Sequence, residues 1–339
     1  MGDDVRIDRS RTFLISVFGA GLVSAGLYLS ALLAFAFLLP LQFAFGRLGK
    51  GGGFRAAAIS ALVLTGTQVF FLAGSGTGFT AAWLGSLGFP LLLILTLVVL
   101  NHGYATRLGP SVRLVTASLI LALVLSPLVS SLLADGSLKA ALLDTTKGFT
   151  EEIRKGIEAK IDITAPEYDG AALMASLDPE RIVDSSLRFF VSAFAGLVFL
   201  LIGGSWWIGN RIAGEGSLGR GEAVALRELR LPPELVWPLL ASLTLLLATL
   251  AIDLGQLPRV VAWNLSIVFA LAYAAQGAGI VAHHLERLKV PGFLRIALAL
   301  TIPLSAISSP IGAGLVAILP VLGVTELWIP YRTKKGVGA

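Results

Sequence analysis

The sequence predicts an all-α, polytopic helical membrane protein of about ten transmembrane spans (eight to ten), with both termini cytoplasmic. Three observations carry that prediction. Of the 339 residues 55% are hydrophobic and only 14% charged, against roughly a quarter charged in a soluble domain. The apolar residues come in unbroken runs, several of them long enough to cross about 30 Å of hydrocarbon as helices. The basic residues gather in short connections that alternate with those runs. The net charge of +5 would suit nucleic acid, but its placement is that of positive-inside topology, so nucleic acid is not expected as a partner and the lipid bilayer is. The chain has no cysteine, which excludes disulfides, thiolate metal sites and cysteine nucleophiles. Asp3, Asp4 and Asp8, followed by a long apolar run without a cleavage site, argue against a secretory signal peptide.

The elements follow in order. Residues 12–46 carry no charge, and one helix of that length would reach roughly 50 Å, so two short spans joined by a buried turn near residues 24–30 are expected. Residues 46–55, GRLGKGGGFR, form a basic glycine-rich turn. A third span covers residues 56–73, a Gly/Ser/Thr turn follows at 74–78, and a fourth span covers 80–100 with a bend at Pro90. After the basic loop 101–113, residues 114–134 make a fifth span. Composition then changes: residues 135–184 hold eleven acidic and six basic residues. Within them Phe149, Ile153, Ile157 and Ile161 recur every four positions among charged neighbours, the pattern of one amphipathic helix.

Asp178-Pro179-Glu180 is a helix start, with a capping residue, a proline at the first position and an acid in the first turn. The sixth span runs to about Asn210, the polar loop 211–234 follows, and Pro232-Pro233 opens a seventh span ending near Asp253. Residues 263–287 form the eighth, and Val290-Pro291-Gly292 ends it. Residues 293–331 are too long for one crossing and break at Ser308-Ser309-Pro310. This gives an N-terminal transmembrane bundle (1–134), an acidic extracytoplasmic segment (135–184) and a C-terminal bundle (185–339). With ten spans, the cytoplasmic side receives Arg47, Lys50, Arg55, Arg107, Arg113, Arg211, Arg220, Arg227, Arg230, Arg287, Lys289, Arg295 and both basic tails. The short loops opposite hold only Arg259.

Few chemical motifs survive inspection. Gly46–Gly51 lacks the phosphate-loop spacing and the hydroxyl after Lys50, and no zinc-protease, nucleophile-elbow or paired-carboxylate pattern occurs. No catalytic residue, metal ligand or cofactor is therefore expected. The small-residue rows Ser16, Ala20, Ser24 and Ala274, Ala278, Ala282 permit close helix approach, either to pack a bundle or to dock another protein. In the eighth span Tyr273, Gln276 and His283 share a stripe, with Gln276 and His283 about 20° apart at 100° per residue, whereas Asn264 points elsewhere. Gln276 either hydrogen-bonds a neighbouring helix or lines a polar cavity with Tyr273 and His283. On the cavity reading, Gln276→Leu abolishes function and preserves the fold. His283-His284 point about 100° apart and read as an interfacial pair rather than a metal site. Glu326 lies in an apolar run and needs a cation or a wet cavity. Arg332 is the nearest cation, although Pro330 prevents a simple continuous-helix geometry; a structural ion pair and a ligand or proton site are both open.

Asn210-Arg211, then Leu229-Arg230-Leu231-Pro232 leading to Val236-Trp237, then Asn264, Tyr273 and Gln276-Gly277, then Leu322-Gly323 with an acid and a basic tail, together resemble the YybS-like family. These are predicted bacterial membrane proteins of a domain of unknown function. The resemblance covers residues 210–335. The family's last acid is usually Asp with further charges after it, where this chain has Glu326 followed by Leu-Trp-Ile-Pro-Tyr-Arg. Members are distantly similar to the S components of energy-coupling factor transporters. That implies a small-solute site at Tyr273, Gln276, His283, Glu326 and Asn264, an energising membrane subunit with ATPases, and a place in the bacterial inner membrane. Docking would then use Ala20 and Ser24 or the elbow of Arg220, Arg227 and Arg230. The competing expectation is an accessory or scaffold protein of an envelope complex, binding partners through residues 135–184.

Overall fold

A computed structural model of the chain describes residues 2–30, 32–75, 87–102, 108–134, 136–158, 177–214, 226–252, 254–295, 297–298, 301, 305 and 309–332. The described residues are helical with no strand. The helices are α1 (Gly2–Leu29), α2 (Leu38–Ser75), α3 (Phe89–Leu100), α4 (Pro110–Ala134), α5 (Ser137–Glu158), α6 (Pro179–Ala213), α7 (Val236–Ala251), α8 (Gln256–Arg287) and α9 (Pro310–Thr325). Five helical segments are long and apolar enough to cross a membrane: Thr12–Leu29, Ala34–Phe71, Pro179–Ala213, Pro233–Ala251 and Leu257–Arg287. Phe89–Leu100, Pro110–Leu125 and Gly314–Thr325 are apolar but shorter.

The basic glycine-rich stretch reverses the chain at a single residue. Gly49 has φ 75° and ψ 178°, a region open essentially to glycine alone. A Cβ on Gly53 would meet the Phe45 ring and one on Gly52 would meet Leu48, so the two arms of α2 fold back on each other as a helical hairpin. The second arm runs parallel to α1: Gly52 lies by Phe13, Gly21 by Ala56 and Ile59, and Ser24 Oγ is 3.0 Å from Ser60 Oγ. Residues 30–49 must therefore return over the distance that α1 climbs between Phe13 and Leu29, about 24 Å at 1.5 Å per residue. The turn that begins this return is at residues 30–37, later than expected, and it is buried only at its end, where Phe37 enters the core. Leu32 is 82% and Phe35 67% exposed, so this turn faces the surroundings of the bundle.

Other boundaries follow their local chemistry. Asp178 Oδ1 accepts from Glu180 N–H at 3.1 Å, capping α6 at the foreseen position. Ser309 Oγ accepts from Gly312 N–H at 3.0 Å and caps α9, with Pro310 as its first residue. Pro90 sits in the first turn of α3, where a missing N–H costs nothing, and Leu87 and Gly88 just before it are also helical. Residues 80–86, Lys160, Ile161, Arg107, Arg220, Asp253 and Ser308 lie outside the described residues.

The amphipathic helix α5 rests along α6, with Lys139 Nζ 2.8 Å from Asp184 Oδ1. Its inner face is not the one marked by Phe149. Phe149 is 63% exposed, whereas Thr150 is buried and Ile153 and Ile157 are half-buried. A four-residue repeat drifts about 40° per step on a 3.6-residue helix, and that drift carries Phe149 off the stripe.

Packing centres on α6, which touches α2 on one side and α8 on another. Gly209 lies against Gln42, and Gly196 lies against Ile267 and Leu271. Helix α9 runs antiparallel to α8, with Gly323 against Tyr273 and Leu319 against Gly277. The ten-span reading would send the last helix in the same direction as α8. The chain instead turns back after Thr325, and residues 326–332 fold onto the loop that precedes α7.

Candidate functional site

The polar stripe of α8 opens onto that fold-back. Gln276 is 2% exposed, and every one of its amide groups is occupied. Its Oε1 accepts from Leu231 N–H at 2.7 Å, and its Nε2 donates to Gly323 C=O at 3.0 Å and to Glu326 Oε2 at 2.9 Å. Glu326 in turn takes the Arg332 fork: Nε donates to Oε1 at 2.6 Å and Nη2 donates to Oε2. Arg332 also donates from Nη1 to Arg227 C=O at 2.7 Å and from Nη2 to Leu229 C=O at 2.9 Å. The side chains of Arg332 and Glu326 are 3% and 6% exposed, so this is a buried pair whose charges are satisfied by geometry.

Glycines make this approach of helices close enough. A Cβ at Gly277 would lie 2.0 Å from Leu319 O, one at Gly323 2.0 Å from Tyr273 O, and one at Gly279 2.3 Å from Leu226 O. The stretch from Leu226 to Leu231 is thereby pressed onto α8, with Arg227 Nη1 also donating to Glu286 at 2.5 Å on the outer surface.

Three of the candidate residues take other places. Asn264 faces α6, where Oδ1 accepts from Ala195 N–H at 2.7 Å and Nδ2 donates to Val191 C=O at 2.8 Å. Those two backbone groups are an i, i−4 pair, so the amide is inserted into the hydrogen-bond ladder of α6. The Tyr273 hydroxyl is buried without a hydrogen-bond partner. His283 is half-buried and stacks edge-on to His284. Among the candidate docking residues, Ser24 is buried against Ser60, Ala20 is half-buried, Arg227 is paired, and Arg230 is exposed. Among the described residues no cluster of three or more acids and histidines could hold a metal.

Two features were missed. Gln42, Asn101 and Asn210 form a second amide cluster joining α2, α3 and α6: Gln42 Nε2 donates to Asn210 Oδ1 at 2.8 Å, and Asn101 Nδ2 donates to Gln42 Oε1 at 2.8 Å. A lone glutamine in the uncharged run 12–46 was the available signal, by the same rule that singled out Gln276. The other is a cavity of about 320 Å³ between α4, α6, α8 and residues 226–231. Val115, Gly203, Trp206, Trp207, Leu231 and Ala275 are among its walls, and among the described residues Ser111 and the two indoles carry the only polar side-chain groups there. Beside it Arg113 is 3% exposed, donates Nη1 to Leu100 C=O at 3.0 Å and lies 5.7 Å over the Trp206 ring. No sequence pattern marks this chamber, because its walls come from four separate segments.

A family model described as predicted membrane protein (DUF2232) matches residues 17–324, taking in the N-terminal helices as well as the α8–α9 region. No curated protein and no solved structure matches the chain.

Proposed function

The chain belongs to the DUF2232 family of predicted membrane proteins, and we propose that it is a non-catalytic binding subunit of the membrane, holding a small, predominantly apolar ligand. The observation that carries this reading is the chamber of about 320 Å³, within the range of roughly 300–1,000 Å³ typical of ligand cavities. Its walls offer aliphatic carbon and two indole faces, so a ligand gains from burying hydrocarbon or aromatic surface and would have to leave any charge outside. The sequence-derived site at Gln276 and Glu326 lies beside this chamber, with its polar groups engaged to one another and to the chain. We read those groups as the frame of the site rather than as its ligand contacts. The resemblance to YybS-like proteins, and through them to solute-binding S components, supports the binding role. The chain carries no phosphate-cradling motif, so movement of the ligand would draw on a partner for energy. The cytoplasmic bacterial membrane is the expected setting, with the basic loops and Arg332 on the inner side.

Gly203 provides the test. A Cβ built there meets nothing within 4 Å, so Gly203→Leu places its side chain in open space that the chamber supplies. Replacing a mid-helix glycine also favours the helix by up to about 1 kcal/mol. The parent, purified from its own membranes, is expected to carry a small molecule in native mass spectrometry, and the variant to fold at least as stably and to lack it. Equal retention by parent and variant would refute the chamber as the binding site.

A further inference from the structure

The loop from Leu226 to Leu231 has two faces with different tasks. Leu226, Leu229 and Leu231 contribute to the wall of the chamber. The backbone of the same segment is held from behind: Arg227 C=O and Leu229 C=O accept from Arg332, and Leu231 N–H donates to Gln276. Residues 229–232 have no regular secondary structure of their own, so the positions of Leu229 and Leu231 depend on side-chain anchors rather than on a helix ladder. The anchors belong to α8 and to the C-terminal segment after α9, and they meet at Glu326.

We propose that residues 226–231 are a gate strap of the chamber and that the Glu326–Arg332 pair, seated on Gln276, is its latch. The inference rests on the binding role proposed above and adds its regulation. Withdrawal of the C-terminal segment releases two carbonyls of the strap at once, because one guanidinium holds both. The outer tie from Arg227 to Glu286 has side chains 44% and 42% exposed, and a surface pair of this kind contributes little. Control of entry therefore lies with the buried latch. A partner or membrane condition that displaces residues 326–332 opens the chamber without touching the ligand.

The absence of cysteine from the sequence makes this measurable with a single introduced thiol. Ala275 lines the chamber next to Gln276 and is half-buried, so Ala275→Cys reports access by its rate of reaction with a charged, water-soluble methanethiosulfonate. The paired substitution E326Q/R332Q removes both charges together and leaves no lone buried ion, the arrangement best tolerated by a fold. On this background Ala275→Cys is expected to react faster on the order of tenfold or more, while a control thiol at the exposed Glu234 is unchanged. Arg227→Gln, which cuts only the exposed ion pairs with Glu286 and Glu228, is expected to change the Ala275→Cys rate by less than about twofold. Equal rates in the parent and in E326Q/R332Q would overturn the latch, as would a larger acceleration from Arg227→Gln. Should the paired variant fail to fold, Arg332→Lys carries the test: it keeps the charge, loses the fork, and must still accelerate labelling. The assay uses no ligand, so its failure leaves the binding role standing, and loss of the binding role leaves its result readable.

Discussion

Arg332→Ala is expected to destabilise the protein by about 3–5 kcal/mol, the usual consequence of leaving one partner of a buried ion pair alone. Glu326 would keep only the Gln276 amide as a partner, and the carbonyls of Arg227 and Leu229 would lose their donors. A fall in Tm on the order of 10 °C, read by thermal unfolding of the detergent-solubilised protein, is the corresponding shift. E326Q/R332Q is expected to recover most of that loss, because the cost comes from an uncompensated charge more than from the pair's net contribution. A single variant as stable as the parent would mean that the pair is solvated and the fold-back loose. The same reasoning changes what Gln276→Leu should do. A polar cavity would lose only function, whereas the observed bonds leave Leu231 N–H, Gly323 C=O and a carboxylate oxygen short of a partner, so the fold loses stability too.

Gly277→Ala is expected to cost about 3 kcal/mol, at the upper end for inserting one methyl group into a packed interface. The added Cβ would lie 2.0 Å from Leu319 O, and a main-chain oxygen on a helix cannot swing aside as a side chain does. Helices α8 and α9 must separate, and the Gln276–Gly323 and Gln276–Glu326 bonds lengthen with them. Alanine is the better helix former by roughly 1 kcal/mol, which makes the sign of the result decisive. A stabilised Gly277→Ala protein would contradict the close approach; a destabilised one beside a stable Gly203→Leu protein would separate contact from open space.

Much of the fold could be read from the sequence because its signals are local. Asp178 and Pro179 cap α6, Ser309 and Pro310 start α9, and Gly49 turns the chain within the basic stretch, each through a preference set by one or two residues. The 100° geometry of a helix likewise separated Asn264 from Gln276 before any neighbour was known. What could not be read is whatever depends on which segments meet. Pro330 suggested that Arg332 could not reach Glu326 along one helix, and the contact is made by a turn instead. Helices α8 and α9 meet where Gly277 and Gly323 allow backbone contact, and small residues alone do not say which way a helix runs. The chamber escaped for the same reason: alanines and leucines on four segments look like ordinary bundle surface until the empty volume between them is seen.

The most direct measurement is a density map of the full chain purified from its native membranes, inspected at the chamber bounded by Gly203, Trp206, Trp207 and Ala275. The account predicts compact extra density in contact with the indoles and with Leu229 and Leu231, and unbroken side-chain density from Gln276 through Glu326 to Arg332. A chamber closed by its own side chains, or extra density bonded to Gln276 in place of Leu231 and Glu326, would contradict it.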